Sequence, residues 1–237
     1  MGAAMSRLAD AFVSAFLVNV EPSARRQDPV GLGVARANAE AVAILPTVMQ
    51  ALDSLLRQHL LSARRTILGD VSDLGYETQN LCVGFVDLVG STALAETSSI
   101  VELSGLLKGF EHLVADAVTE AGGRVVKLIG DAVLFTATDP SDACDVALAV
   151  TGDLKHHLKL PPGRAGLAMG EVTLRDGDVF GSVVNLAARA VALAGPNEVV
   201  VPTSLANKLK LSSVSLGPRH LRGFKEEVDL SRIVQSE

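Results

Sequence analysis

The sequence of 237 residues contains no tryptophan, two cysteines and only 3% aromatic side chains. Two cysteines are too few for a disulfide framework, and Cys82 and Cys144 lack the spacing of metal ligands, so we expect reduced thiols in a cytoplasmic protein. No apolar run reaches the roughly 18 residues that a membrane helix needs. The longest candidate, residues 41–56, is broken by Pro46 and Asp53. The first residues also lack the basic start and apolar stretch of a secretory signal.

An excess of basic charge is absent as well. The formal net charge of −6 disfavours a general affinity for nucleic acid or anionic membranes. A polyphosphate ligand would therefore need its own cations or metal ions. Hydrophobic residues make up 48% of the chain and charged residues 20%, proportions that predict a globular protein with a sizeable core.

The composition changes along the chain and predicts three segments. Residues 1–69 are rich in Ala, Leu and Arg at helical spacing and predict a small all-α region. Residues 70–80 combine Gly, Asp, Ser and Asn, which is typical of a linker. Between residues 81 and 237, short β-rich runs alternate with helical stretches, which indicates one larger α+β domain.

The predicted elements of this larger domain follow the order strand, helix, strand, strand, helix, strand. Strands are predicted at residues 81–88, 124–130, 132–138 and 164–174. Helices are predicted at 92–123, 141–158 and 182–195, followed by a strand at 198–204 and a closing hairpin. Gly130 and Asp131 form the tight turn between the second and third strands. A βαββαβ order is typical of the ferredoxin-like fold with a mostly antiparallel sheet.

The first predicted strand ends in a carboxylate that is followed by a glycine turn, in the sequence FVDLVGST. The carboxylate is Asp87, and the turn and the next helix begin with Leu88, Val89, Gly90, Ser91 and Thr92. Such a turn offers backbone N–H groups to a phosphate, while the carboxylate can hold a metal ion beside it. The competing interpretation, which is common for such a position, makes Asp87 an ordinary strand-end or cap residue.

The predicted hairpin KLIGDA carries both a cation and an anion. In a βαββαβ fold this hairpin lies beside the first strand, so Asp131 and Asp87 can converge on one Mg²⁺ or Mn²⁺ site. The two carboxylates can also act as an acid/base pair, and Asp131 is equally suited to the turn itself. Lys127 lies among apolar strand residues, where a lysine either pairs with a partner or extends into solvent.

Another polar pair lies in the predicted helix VNLAAR. Asn185 and Arg189 are four residues apart and therefore share one helix face. An amide and a guanidinium on one face can hydrogen-bond a ribose oxygen and a phosphate together. The alternative for such a pair is a solvated helix surface without a binding role.

Taken together, FVDLVGST, KLIGDA and DGDVFGSVVNLAAR, in this order and at this spacing, resemble the catalytic domain of the class III adenylate and guanylate cyclases. The resemblance extends over residues 81–234. It implies that Asp87 and Asp131 bind two metal ions, Mg²⁺ or Mn²⁺, in each site. A diguanylate cyclase on a related fold is disfavoured, because the sequence has no motif like GG[DE]EF.

The same resemblance implies a substrate. Lys127 and Asp178 would bind the purine, since a lysine donates to adenine N1 and a carboxylate accepts from the 6-amino group, whereas guanine requires the opposite polarity. Asn185 and Arg189 would orient the ribose and stabilise the transition state. The expected reaction converts ATP to cyclic AMP and pyrophosphate.

The cyclase family builds each active site between two catalytic domains. A chain with one such domain is therefore expected to form a head-to-tail homodimer with two shared sites. Ser91 departs from the family pattern, because many members carry an aromatic residue there. The pyrophosphate-binding cation of the family has two candidates here, Arg222 and Lys225, on either side of Phe224. The alternative function is a catalytically silent, cyclase-like module that binds nucleotide or signals by dimerisation.

Residues 1–69 resemble the later part of a helical regulatory domain that precedes some actinobacterial soluble cyclases. In those proteins it restrains the catalytic dimer and responds to pH, so a regulatory role is expected here. A simple helical dimerisation segment is the alternative. His59 is the only histidine of this region, and a lone helical histidine is more often structural or solvated than a pH sensor.

Overall fold

The structure is a computed structural model, and it describes residue 13 and residues 32–66, 77–154, 160–175 and 177–234. The chain divides into two compact units, Met1–Leu68 and Gly69–Glu237. In the first unit, helix α1 spans Leu32–Thr66 and runs through Pro46. Apart from residue 13, the first 31 residues of the predicted all-α region lie outside the described residues, as does most of the predicted linker. Within the described ranges, no helix combines the length and apolar character that crossing a membrane requires.

The described residues of the second unit form eight strands and five helices. The strands are β1 (Glu77–Leu88), β2 (Arg124–Ile129), β3 (Ala132–Ala137), β4 (Gly163–Arg175), β5 (Asp178–Phe180), β6 (Val199–Pro202), β7 (Ser213–Arg219) and β8 (Val228–Ile233). The helices are α2 (Ser91–Thr97), α3 (Ile100–Glu120), α4 (Pro140–Leu154), α5 (Ser182–Leu193) and α6 (Thr203–Lys208).

All eight strands join one sheet, in the order β2-β3-β1-β4-β6-β8-β7 with β5 paired to β4. The pairs β2–β3, β3–β1 and β1–β4 are antiparallel. The first four strands, with α3 and α4 among their connections, therefore have the order and directions of a ferredoxin-like βαββαβ unit. Strand β6 then pairs parallel to β4 and extends the sheet. The predicted fold class is confirmed.

The sheet buries apolar side chains on both faces, because successive side chains along each central strand point to opposite faces. Val86 and Phe135 belong to the core that packs with α3 and α4. Val83, Phe85 and Leu134 belong to a second core that packs with α5. The two faces therefore carry different helices, and a side chain's position along its strand decides which helix it meets.

Helix α5 lies unusually close to β4 because the strand has a glycine at the contact. A Cβ on Gly166 would lie 2.1 Å from the backbone nitrogen of Val191 and 2.7 Å from the carbonyl oxygen of Ala187. Such distances are far inside van der Waals contact, so any side chain at this position would push the helix away. Gly166 thus fixes the height of α5 above the sheet.

Both cysteines are free and buried, as the apolar sequences around them predict. Burial, followed by the neighbouring Cys144 and Asp139, raises the pKa of the Cys82 thiol to about 12. Burial, followed by Asp145, raises that of the Cys144 thiol to about 12 as well. Both thiols therefore stay protonated at neutral pH, and a thiol is a poor nucleophile in that form.

Some element boundaries differ from those predicted. Strand β1 begins at Glu77 rather than at residue 81, because residues 77–80 pair with residues 171–174 of the long strand β4. The long helix predicted at 92–123 is two helices, α2 and α3, and Ser99 starts α3 with a capping box to Glu102. The strand predicted at 198–204 ends at Pro202, and helix α6 follows.

Candidate functional site

Asp87 lies at the end of β1 on the face of the sheet that α5 covers. It alternates along the strand with Val83 and Phe85, which pack in the α5 core. Directly across on β4 lies Arg164, which donates from Nε (2.8 Å) and from Nη2 (2.5 Å) to Oδ2 of Asp87. Both hydrogen bonds use the same oxygen, so they orient the carboxylate without occupying Oδ1.

Arg164 is the residue that the sequence analysis missed. Its type and its place at the start of a predicted strand were visible, but the register between β1 and β4 was not. The register pairs Asp87 with Arg164 across 77 residues of chain, and no local pattern encodes a pairing of that range. The predicted antiparallel order of the two strands was the one signal that could have raised the possibility.

Asp131 reaches the same end of the sheet from the β2–β3 turn. Gly130 adopts φ +64°, a left-handed conformation that glycine tolerates and that allows the two-residue turn. The next residue, Ala132, pairs with Asp87, so the two predicted metal ligands lie at adjoining strand ends. The Ser91 hydroxyl donates to Oδ2 of Asp131. One residue of α2 thereby orients the second carboxylate.

The two carboxylates fit a hard divalent cation that is completed by a ligand. Mg²⁺ and Mn²⁺ accept one or two protein carboxylates together with phosphate oxygens and water. Among the described residues, no group of three or more His, Cys, Asp or Glu side chains could hold a metal ion alone. Asp87 and Asp131 are therefore suited to an ion that arrives with, or is shared with, a phosphate.

The turn after β1 offers fewer backbone donors than its sequence predicts. The N–H of Leu88 donates to the carbonyl of Asp131 at 3.4 Å, and the N–H of Val89 donates to the carbonyl of Pro162 at 2.9 Å. Gly90 then begins α2 with φ +79° and no side-chain cap. The first N–H groups of a helix have no partner within it, so Ser91 and Thr92 retain donors for a phosphate.

Lys127 and Asp178 form an ion pair at 2.5 Å. They lie on different hairpins, Lys127 on β2 and Asp178 at the start of β5. Burial acts to raise the pKa of Asp178. The hydrogen bonds from Lys127 and the Val179 N–H, with the charges of Lys127 and Arg124, outweigh it and hold that pKa below its usual value. A carboxylate acceptor and an ammonium donor are thus already paired side by side.

Asn185 and Arg189 lie on the side of α5 that faces away from the sheet. Val183 and Ala187 lie on the opposite, buried side of the same helix, whereas Asn185 and Arg189 are exposed, in keeping with a helical period of 3.6. The Nε of Arg189 makes a long hydrogen bond of 3.4 Å to the carbonyl of Arg222. The pair is therefore presented outward on a helix whose opposite side is fixed to the core.

Arg222 and Lys225 lie in the segment between β7 and β8, and both are exposed. Phe224 between them is half-buried and packs against the small core formed by Ala190, Leu221 and Leu230, among others. Among the described residues, the hydrogen bond between Arg222 and the α5 pair uses the carbonyl oxygen of Arg222. This geometry selects neither cation as a phosphate ligand.

The predicted residues thus form three groups. The first joins Asp87 and Asp131 with Ser91 and Arg164, the second is the pair on β2 and β5, and the third is the outward pair on α5. Within the described ranges, none of the hydrogen bonds or ion pairs of these residues connects the first group to the other two. Within the described residues of one chain, these three groups are therefore separate in their hydrogen bonds and ion pairs.

Comparison with known proteins gives clear relatives, although no family model matches the sequence. An adenylate cyclase of Streptomyces coelicolor is 38% identical over 166 residues, which cover 70% of this chain and 44% of that protein. An uncharacterized protein of Mycobacterium tuberculosis is 35% identical over 240 residues, covering 96% of this chain and 60% of that protein. The chain spans about half the length of these curated relatives.

Solved structures show the same fold. The crystal structure of the adenylyl cyclase CyaB from P. aeruginosa superposes with a TM-score of 0.61 over 68% of this chain and 97% of that chain. The sequence identity is 22%, so the likeness concerns the arrangement of strands and helices. It agrees with the ferredoxin-like order of the sheet.

Proposed function

The chain belongs to the class III adenylate and guanylate cyclases, and from that membership we propose that it converts ATP to 3′,5′-cyclic AMP and pyrophosphate. The observation that carries the proposal is the ion pair of Lys127 with Asp178. An ammonium and a carboxylate side by side match N1 and the 6-amino group of adenine. Guanine, with an acceptor at O6 and a donor at N1, would require the reverse arrangement.

The first group of residues, Asp87 and Asp131 with Ser91 and Arg164, would hold the metal ions and the phosphate end of the nucleotide. Asp87 and Asp131 would bind two Mg²⁺ or Mn²⁺ ions, which would lower the pKa of the ribose 3′-hydroxyl and neutralise charge during its in-line attack on the α-phosphate. Arg164 would keep Oδ2 of Asp87 occupied, so that Oδ1 would remain available as a metal ligand. Its positive charge would also offset part of the negative charge of a triphosphate bound there.

The α5 pair would act on the reacting atoms. Arg189 would stabilise the charge that develops on the α-phosphoryl group, and Asn185 would hydrogen-bond the ribose and orient its 3′-oxygen. Candidate phosphate contacts are Leu88, Val89, Gly90, Ser91, Thr92, Arg222 and Lys225. Of these, Ser91 and Thr92 retain helix-start N–H groups, so we place the phosphate nearest to them.

We further propose that two chains form a head-to-tail homodimer with two equivalent sites. Asn185 and Arg189 face away from their own sheet, so they can act on a nucleotide held by the carboxylates of a second copy. In such an arrangement each chain supplies carboxylates to one site and the purine and α5 pairs to the other. A monomer would hold both halves but complete neither.

The decisive experiment measures product from purified protein with ATP or GTP and Mg²⁺ or Mn²⁺. We expect metal-dependent cyclic AMP from ATP and little product from GTP. Asp131→Ala should abolish the activity, and Asp116→Ala, which removes an exposed carboxylate from α3, should leave it intact. A folded dimer that forms no cyclic product would instead support the catalytically silent module.

For residues 1–69 we propose a regulatory role on the catalytic unit. The proposal rests on the sequence resemblance and on the long helix α1, since the side chain of His59 lies outside the described residues. A chain that lacks residues 1–70 should differ from the full chain in specific activity or in its pH profile. Identical activity and pH profile in both proteins would contradict the regulatory role.

A further inference from the structure

We propose that Arg124 is a positioning residue for purine recognition: it fixes the turn that carries Asp178 relative to the strand that carries Lys127, and thereby sets the preference for adenine. The inference rests on the proposed function, because it concerns the same purine pair. Arg124 itself would touch neither the purine nor the phosphates. Its contribution would be to hold a contact that another residue makes.

The first support is an irregularity in β2. Arg124 and Lys127 are three residues apart, so in a regular strand their side chains would point to opposite faces. The register shifts between Val125 and Lys127, which places Arg124 opposite Thr136 and Lys127 opposite Leu134. Thr136 and Leu134 share a face, and cross-strand partners point the same way. The bulge therefore brings both cations to one face of the sheet.

The second support is where the two cations bind. Arg124 donates from Nη2 to the carbonyl oxygen of Gly177, and Lys127 pairs with the carboxylate of the next residue, Asp178. Gly177 adopts φ +83°, a backbone conformation that side chains disfavour, at the tip of the β4–β5 turn. Two adjacent positions of one turn are thus attached to two positions of one strand.

The attachment matters because Asp178 has few other constraints. Strand β5 has three residues and pairs with β4 through residues 178–180. Oδ1 of Asp178 accepts from the N–H of Val179 at 2.9 Å, and Oδ2 accepts from Lys127. The first of these bonds orients the carboxylate within its own turn. Among the described residues, the hydrogen bonds that connect the turn to β2 come from Arg124 and Lys127. Without Arg124, the flexible side chain of Lys127 would be the remaining side-chain link, so the distance between the Lys127 ammonium and the Asp178 carboxylate would be set less tightly.

The test compares Arg124→Met with Arg124→Lys on two nucleotides. ATP carries the 6-amino group that Asp178 would accept, and purine riboside triphosphate lacks it. In the wild type ATP should be preferred, and Arg124→Met should reduce that preference by about three- to tenfold, mainly through KM. Arg124→Lys keeps a donor and should restore part of it. Arg219→Met, an exposed arginine on β7 at the opposite edge of the sheet, is the matched control.

An equal loss for both nucleotides, or no loss for either, would overturn the proposal, because a purely structural role does not distinguish the two purines. Hydrogen exchange gives a readout that needs no catalysis. Amides of residues 177–180 should exchange faster in Arg124→Met than in the wild type or in Arg219→Met. If the wild type forms no cyclic AMP, the proposed function fails, and unchanged exchange in Arg124→Met would show separately that Arg124 fixes nothing.

Discussion

Asp87 and Asp131 are held by the pairing of three central strands, whereas Lys127 and Asp178 are joined across two hairpins by side-chain bonds, their own ion pair and the bond from Arg124 to Gly177. The exposed fractions show the contrast: 15% for the side chain of Asp87 and 29% for Arg164, against 43% for Lys127 and 27% for Asp178. Charges interact more strongly where water is scarcer. The residues around Asp87 and Asp131, the carboxylate region, therefore suit the proposed metal chemistry, which needs fixed ligands. Lys127 and Asp178, the purine region, suit the proposed recognition of the base, which tolerates adjustment.

The largest effects should follow from breaking the carboxylate region. Asp87→Ala or Asp131→Ala should lower the rate of cyclic AMP formation by about 10³-fold or more, because each removes an anionic ligand that no neighbour replaces. Asp178→Ala should lower the rate less than these two variants do, and it should lower the preference for ATP over GTP more. Initial rates with both nucleotides give the two quantities. A greater rate loss in Asp178→Ala than in Asp87→Ala would reverse the proposed division of roles.

Mixing variants tests whether the two regions act in different chains. Asp87→Ala and Asn185→Ala should each be inactive alone, but a mixture should regain part of the activity, because some heterodimers keep one intact site. A mixture of Asp87→Ala with Asp131→Ala is the matched control and should regain none, since both changes damage the carboxylate half. Equal behaviour of the two mixtures, with subunit exchange demonstrated, would contradict the shared site.

The same contrast explains what the sequence could predict. The alternation of LCVGFVDL and the turn at Gly130 and Asp131 are local patterns, and the sheet order follows from them. The partners of Asp87 were beyond reach, because Arg164 meets it through a register that only tertiary packing determines. Ser91 was noted as a departure, but its bond to Asp131 joins residues 40 positions apart. Elements and motifs are encoded locally, whereas the contacts that orient the motifs are long-range.

A smaller effect is expected from Arg164, which orients a ligand but does not replace one. Arg164→Met should lower kcat/KM by about 10- to 100-fold, the range typical of residues that orient a metal ligand. The kcat/KM of Arg164→Lys should fall between those of the wild type and Arg164→Met, because a lysine keeps the charge and loses the two-donor geometry. Arg232→Met serves as the control, because Arg232, on β8, forms a comparable ion pair with Glu198 at 2.6 Å. An equal loss of kcat/KM in Arg164→Met and Arg232→Met would show that Arg164 contributes to stability and not to the orientation of a ligand.

Ser91 should matter less again, because its bond to Asp131 involves a neutral donor. Ser91→Ala should raise the Mn²⁺ concentration needed for half-maximal binding by about two- to tenfold, the effect of losing one ordinary hydrogen bond. Ser91→Thr keeps the hydroxyl and should behave as the wild type. Calorimetric titration of Mn²⁺ with a non-reacting ATP analogue measures this without turnover. Equal affinity in Ser91→Ala and Ser91→Thr would separate the hydroxyl from the metal site.

The smallest effect concerns the stability that the purine pair provides. The pKa of Asp178 is lower in the folded chain than in the unfolded one, so its contribution to stability is present above the ordinary carboxyl pKa of about 4 and is lost as the pH falls through the lower folded value. Lys127→Met should therefore lower the urea midpoint at pH 7 and differ progressively less from the wild type below pH about 4.

Lys108→Met, which removes an exposed lysine from α3, should show no such pH-dependent difference. The shift at pH 7 should be small, because the pair is partly exposed and water screens it. A gap between Lys127→Met and the wild type that stays constant from pH 7 down to pH 3 would mean that packing, not charge, joins the two hairpins. The purine region would then resemble the carboxylate region in being held by its backbone, and the contrast between the two would be lost.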